Sequence, residues 1–306
     1  MKNFKFNYRE LALILFFLIP LFLTPIIVSN YYYQVIFINI MIFSLAGLSA
    51  WIIIGQTGII FLAPIAFMEV GAYVFTISIT TFGLPIWMAF LLGVAITAML
   101  GGLLLTPAVR LGGFYMAVLS LILGSIFYNG IFVFPDLTGG SDGLSLSGTN
   151  LDTEPMFYFV GIVTILSFFL IHRARKTKIW TGFNLVEDNE FLAQYVGIDL
   201  VKCKLYTLII GASVAGLSGC LYSFANQFVA PAIFGPVEGI LVLMMPVIGG
   251  MSSILGPFVG GILIKLAPEL LRVTGELRLL LFAGILIFTI KYAPEGIVPK
   301  IKRFFQ

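Results

Sequence analysis

Glu69 is the residue whose placement most invites chemistry, because it is the one charge in an otherwise uncharged run, 59–80. An ionisable group inside a long apolar segment marks a solute or ion path when other helices surround it. It fits a satisfied structural carboxylate equally well, and both readings stand. Gln56 and Tyr73 join it as candidates for lining such a path. The remaining inventory excludes more than it offers. One His and two Cys, Cys203 and Cys220, rule out a disulfide framework and a Cys/His metal cluster, so no metal site is expected. No H-E-x-x-H helix is present, and His172 stands at the edge of an apolar run beside Arg173. No apolar run contains an Asp, which excludes an aspartyl pair within the membrane, and Gly139 to Gly143 reads as a turn cluster. No catalytic residues and no enzyme activity are expected. The phosphate-cradling G-x-x-x-x-G-K-[ST] loop is also missing, so if ATP drives this chain a partner must bind it.

The elements that position these residues follow from composition. Of 306 residues, 60% are apolar and 10% charged, against roughly 45–50% and 25% in a soluble domain. So few charges cannot cover so much apolar surface in water. A soluble enzyme, a disordered chain and a nucleic-acid binder are excluded, and an all-α polytopic membrane protein is expected. A membrane helix needs roughly 20 apolar residues. Runs at 11–29, 35–54, 59–80, 84–109, 111–134 and 156–171 supply six spans, followed by 205–226 and 279–292. The stretch 135–155 carries Asp136, Asp142, Asp152 and Glu154 with no Lys or Arg, whereas 172–204 opens with Arg173, Arg175, Lys176 and Lys178 and closes with Lys202 and Lys204. Basic loops stay in the cytoplasm. The basic loop is therefore inside, the acidic one outside, and Lys2, Lys5 and Arg9 put the N-terminus inside. The basic C-terminus, with Lys300, Lys302 and Arg303, requires an even number of spans after the loop. That parity splits the run 239–264 at Gly249, Gly250, Gly256 and Pro257 into short spans at about 237–249 and 254–268, tilted or partly re-entrant. Ten spans result, in one transmembrane domain covering 1–306, with both ends cytoplasmic. Glu238 and Lys265 fall near span ends, where snorkelling accounts for them.

Within the basic loop, Asn184 to Val196 shows helical spacing of Leu185, Leu192 and Val196, with Val186 and Ala193 near the same face, Glu187, Asp188 and Glu190 in the first turns and Gly197 as terminator. The expectation is an amphipathic helix of about three turns under the membrane. Its acidic face suits docking to a protein better than to lipid headgroups. Ser44, Ala46, Gly47, Leu48 and Ser49 recur as Ser213, Ala215, Gly216, Leu217 and Ser218. Five spans separate the copies, so they run in opposite directions. Inverted repeats of this kind belong to transport proteins, and small residues also suit close helix packing in any membrane protein.

Gly55-Gln56-Thr57-Gly58, Ala66-Phe67 and Gly71-Ala72-Tyr73, then Arg110-Leu111, Gly113, Tyr115 and Ala117, then Thr138 to Leu144, form a series of motifs in order. It continues with Glu187 to Glu190, Ala193, Gly197-Ile198 and Lys204, then Gly249-Gly250, Gly256-Pro257 and Gly260, and closes with Pro294 to Ile297. With these the chain resembles the LivM-type permease subunit of branched-chain amino acid ABC importers, over nearly its whole length. The resemblance implies a vitamin-importer-like ABC permease architecture. It also implies alternating-access transport of branched-chain amino acids or a related small neutral solute across a bacterial or archaeal plasma membrane. Implied partners are a LivH-like second permease subunit, two ABC ATPase subunits carrying ATP and Mg, and an extracytoplasmic substrate-binding protein. No cofactor belongs to this chain, and no nucleic acid is a partner. Glu187, Asp188, Asn189, Glu190, Ala193 and Gly197 would be the coupling helix that contacts the ATPase. The chain departs from the family where Phe61 to Phe67 lacks the usual Ser and His, and where Glu69, Gly112 and Phe183 replace a small residue and two Arg. Relatives with this pattern carry urea, amides and other amino acids, and an ion-gradient-driven secondary transporter is the rival mechanism.

Overall fold

A computed structural model describes residues 31–59, 61–103, 106, 113–146, 153–271 and 277–304. The expected span at 11–29 and the residues Arg110, Leu111 and Gly112 lie outside the described residues. The protein is an all-α polytopic membrane protein. Its helices are α1 (Tyr31–Thr57), α2 (Pro64–Thr80), α3 (Ile86–Leu103), α4 (Gly113–Val133), α5 (Thr153–Ala174), α6 (Lys178–Asp188), α7 (Glu190–Tyr195) and α8 (Leu200–Asn226), then α9 (Pro236–Gly249), α10 (Gly256–Leu270), α11 (Leu277–Tyr292) and α12 (Ile297–Phe304). The described sheet is a two-residue bridge, β1 (Leu144–Ser145) antiparallel to β2 (Phe228–Val229).

Helices α1, α3, α4, α5 and α8 are each long and apolar enough to cross a bilayer, and α2 and α9 are shorter apolar helices. Apolarity all round a helix means burial on every side, and α1 shows it. Its most apolar stretch is 83% buried, against 22% for α3 and α4, so α1 is the centre of the bundle and α3 and α4 its rim. The second long inner helix, α8, lies antiparallel along it. Asn226 meets Asn39, the Tyr222 ring meets Phe43, Gly211 faces Ser49 and Ile53, and the Thr207 and Thr57 hydroxyls lie 3.4 Å apart.

The two copies of the repeated motif sit at equivalent places in this packing. On α8, Gly216 abuts Thr97 of α3 and Gly71 of α2, and Gly219 lies against the Met68 carbonyl of α2. On α1, Gly47 abuts Met245 of α9 and Pro257 of α10, and Gly261 of α10 lies against Ser44. Each copy thus packs on the helix pair that follows the other copy. Small residues do this because, between helices in lipid, close backbone approach supplies the van der Waals contact that water would otherwise drive.

Helices α9 and α10 form an antiparallel hairpin, Gly249 against Gly256 and Met245 against Gly260. At 14 and 15 residues they are each about 21–23 Å long at 1.5 Å per residue, shorter than the hydrocarbon layer. Gly250 turns the chain at φ +118°, and Gly296, just before α12, closes onto its backbone.

The loop between α5 and α8 departs from expectation. One helix over 184–196 is replaced by two, α6 and α7, broken at Asn189. That residue is extended, and its side-chain oxygen accepts from the Phe191 and Leu192 amides at 2.9 and 3.2 Å. Asn competes with the helix for backbone donors and is at home as an N-cap. Glu187 and Asp188 therefore close α6 instead of opening a helix, and among the three acids Glu190 alone occupies a first turn.

Candidate functional site

The α6–α7 elbow is the most built-up surface at the end of the bundle where α1 finishes and α8 begins. The side of α6 that packs inward is Trp180, Phe183 and Val186, at three-residue spacing and buried. The Trp180 indole N–H donates to Gln56 Oε1 at 2.6 Å, and its ring stacks on Trp51 at 6.3 Å between centroids. The Trp51 indole N–H donates in turn to the Met251 carbonyl at 2.6 Å, in the turn of the α9–α10 hairpin. The Arg175 guanidinium lies over the Trp51 ring at 5.2 Å. Gln56 is thus buried beneath α6 as one member of a chain of polar and stacking contacts from the elbow to the hairpin turn. Phe183 fills the space beside Trp180 with ring centroids 5.5 Å apart.

Around the break, Glu187, Asp188, Asn189 and Glu190 line a groove of about 400 Å³ together with Thr57 and Gly58. Burial, with the adjoining Asp188 carboxylate, pushes the Glu187 carboxyl up from its ordinary value. Glu190 Oε1 accepts from Lys204 Nζ at 2.7 Å, which ties α7 to α8. The Asp199 side chain caps α8 by accepting from the Lys202 amide at 3.2 Å, which holds its carboxyl below the ordinary value. Ala193 is fully buried, and Gly197 turns the chain at φ +86°, with the Ile198 amide donating to the Ala193 carbonyl at 2.9 Å. The remaining face of α7 is apolar and bare. Phe191 is 76% exposed and Tyr195 89%, with Leu192 and Val196 exposed beside them. Of the apolar positions at helical spacing, Val186 and Ala193 are buried, whereas Leu185, Leu192 and Val196 are exposed. The anchoring is done by Trp180, Phe183, Val186 and Ala193. Phe191 and Tyr195 escape the motif reading, and two aromatics in a charged loop are the signal that marks them.

Glu69 and Tyr73, four residues apart on one face of α2, are both buried, Glu69 at 2% exposure. Glu69 Oε1 and the Tyr73 hydroxyl have no hydrogen-bond partner among the described residues. A buried unsatisfied carboxyl oxygen costs about 1–3 kcal/mol. Glu69→Met should therefore raise the melting temperature of the purified protein. If transport falls in the same variant, the carboxyl serves the path, and unchanged transport would make it dispensable.

Glu238 falls in the first turn of α9, near the end of a span as expected, and it is paired. Lys265 lies within α10, about a turn and a half before its end, and donates to Glu238 Oε2 across the hairpin at 2.8 Å. Antiparallel register places them opposite each other, on the line already set by Gly249–Gly256 and Met245–Gly260. At the far end of the bundle, Gly143 beside β1 packs on the Val229 carbonyl, which fastens the Thr138–Leu144 loop over the end of α8.

Residues 32–290 match the family described as branched-chain amino acid transport system, permease component. The high-affinity branched-chain amino acid transport system permease protein LivM of Salmonella typhimurium is 26% identical over 289 residues, 85% of this chain and 68% of its own length. LivM of Escherichia coli matches with the same identity and coverage. The probable branched-chain amino acid transport permease protein LivH of Methanocaldococcus jannaschii is 28% identical over 211 residues, 63% of this chain and 62% of its own length. No solved structure matches the chain.

Proposed function

The chain belongs to the family of branched-chain amino acid transport system permease components, and on that basis we propose that it is one of two permease subunits in an ATP-driven importer. Its cargo is a branched-chain amino acid. Two ATPase subunits serve the complex, one of them docking at the α6–α7 elbow of this chain. A LivH-like subunit supplies the second wall of the path, and a binding protein delivers solute to the outer face. Both termini lie in the cytoplasm of a bacterial or archaeal cell, and ATP with its Mg stays on the partner subunits.

The observation that carries this reading is the bare face of α7. Four large apolar side chains on and just past a short, capped, ion-paired helix make a poor free surface and a good plug for a groove in another protein. The acidic rim of Glu187, Asp188 and Glu190 suits a basic groove edge. Movement of α6 under ATP closure would reach the path through Trp180, Gln56, Trp51 and the Met251 carbonyl, because buried, short hydrogen bonds transmit displacement to the hairpin turn. Gly249, Gly250, Gly256 and Pro257 would let that turn yield. Gln56, Glu69 and Tyr73 are the polar groups of this chain proposed to line the path that such a movement opens.

The test is purification of the tagged chain from its native membranes with mild detergent, followed by mass spectrometry. Two P-loop ATPases and a second permease in stoichiometric amounts are expected. Recovery of the chain with no ATPase would remove the assumed energy source and leave a gradient-driven transporter in its place.

A further inference from the structure

The open end of the α9–α10 hairpin, with α1 and α8, forms an open cleft of about 320 Å³, lined among others by Asn39, Phe43, Tyr222, Glu238, Lys265 and Glu269. At about 30 Å³ per water it holds roughly ten waters, room for a small amino acid. The volume lies within the range of ligand sites, about 300–1,000 Å³. Its polar groups come from four elements and are held in place. Lys265 Nζ donates to Glu238 Oε2 at 2.8 Å and stands 3.5 Å from the centre of the Phe43 ring. The Tyr32 hydroxyl donates to Glu269, and the Asn226 amide donates to Asn39 Oδ1 at 3.3 Å. Glu238 also sits in the first turn of α9, where the helix dipole favours an anion.

Stability alone is a weak reason for this arrangement. A partly exposed ion pair adds little to stability, and a buried one is commonly no better than the apolar pair that would replace it. Closing a helix hairpin needs no cleft beside the pair. One ammonium, two carboxylates and an apolar wall match a different requirement, the two opposite charges of a zwitterion and its side chain.

We propose that this cleft is a subsite for a small zwitterionic amino acid with an apolar side chain. Lys265 has three donors, one of them committed to Glu238, and takes the solute's carboxylate. Glu238 and Glu269 take its ammonium. Phe43 and Tyr222 receive the side chain. The inference rests on the amino acid transport reading above and deepens it by locating a holding point inside this chain.

Two measurements on the intact complex test it. Binding of labelled leucine is measured by scintillation proximity in nanodiscs without the binding protein. ATP-driven leucine uptake is measured in proteoliposomes with it. Wild type should bind leucine, and binding should be competed neither by isocaproate nor by isoamylamine, which each lack one charge. Lys265→Met should weaken binding about 10- to 100-fold, the loss expected for a charge-assisted hydrogen bond, and Lys265→Arg should restore part of it. Glu269→Gln leaves the Lys265–Glu238 pair intact and serves if Lys265→Met fails to assemble; it should weaken binding about 3- to 10-fold. Uptake by wild type with leucine affinity unchanged in these variants would overturn the subsite and leave the transport reading standing. No branched-chain amino acid uptake by wild type would overturn the transport reading itself.

Discussion

Replacing Phe191 and Tyr195 together by Asp is expected to reduce ATP-driven uptake to background while the chain still reaches the membrane at its normal level. Both side chains are exposed in this subunit, at 76% and 89%. Surface substitutions of that kind change stability by about 0.5 kcal/mol or less. In a docked interface the same aromatics would be central anchors, worth about 2 kcal/mol or more each, and an unpaired carboxylate in their place adds a desolvation cost. Together that is a loss of at least about a thousandfold in affinity for the ATPase. The check is recovery of ATPase with the tagged variant alongside uptake. Second-permease recovery should be unchanged, because the bare face of α7 points away from the membrane-embedded helices. Gly197→Pro should give the same uncoupled state by another route, since proline cannot adopt φ +86° and cannot donate the bond that Gly197 makes to the Gln194 carbonyl at 2.9 Å. Full uptake in the double Asp variant would mean that the ATPase grips another surface.

Gly219→Leu is expected to abolish the folded protein. A Cβ at this position meets the Met68 carbonyl and the Ala72 amide, backbone atoms that no rotamer can move. The helices α2 and α8 would have to separate, and with them the contacts of Gly71 with Gly216 and of Cys220 with the Gly71 carbonyl, the latter at 3.4 Å. Overpacking a tight contact costs about 1–3 kcal/mol, and forcing two backbones apart along a whole seam exceeds that range. Gly130→Leu is the control, because nothing lies within 4 Å of a Cβ built there on the outer face of α4. Size-exclusion chromatography of the fluorescently tagged variants separates the outcomes: aggregate for Gly219→Leu, a normal monodisperse peak for Gly130→Leu. A normal peak for both would show that the seam yields more than its geometry suggests.

Much of the bundle is legible in the amino-acid sequence. Composition alone demands a membrane, since 10% charged residues cannot cover 60% apolar ones. The helix α8 ends at Asn226 and α9 at Gly249, where the apolar runs end in polar residues or a glycine pair. The elbow is less legible. Its helical spacing reads as one amphipathic helix, because an apolar residue that docks to another protein looks in sequence like one that packs on its own. Asn189 holds the decisive signal, a cap residue inside a helical pattern, and its side-chain bonds to two amides make the break. Glu238 and Lys265 are hidden for another reason. Their 27-residue separation carries no periodic signature, and only the antiparallel register of a hairpin makes them opposite.

Membrane crossing, the approximate course of the helices and the basic loop between α5 and α8 are therefore written in the chain itself. Those are properties of local composition, period and charge, and each can be read within a window of a few turns. Other features exist only once the helices are packed. The two Ser-x-Ala-Gly-Leu-Ser copies exchange partners, Gln56 serves Trp180 at the base of the elbow, and Glu238 and Lys265 line one cleft together. These depend on backbone approach between helices far apart in the chain. In a membrane, where apolarity does not distinguish the interior from the lipid, small residues and polar pairing choose those neighbours.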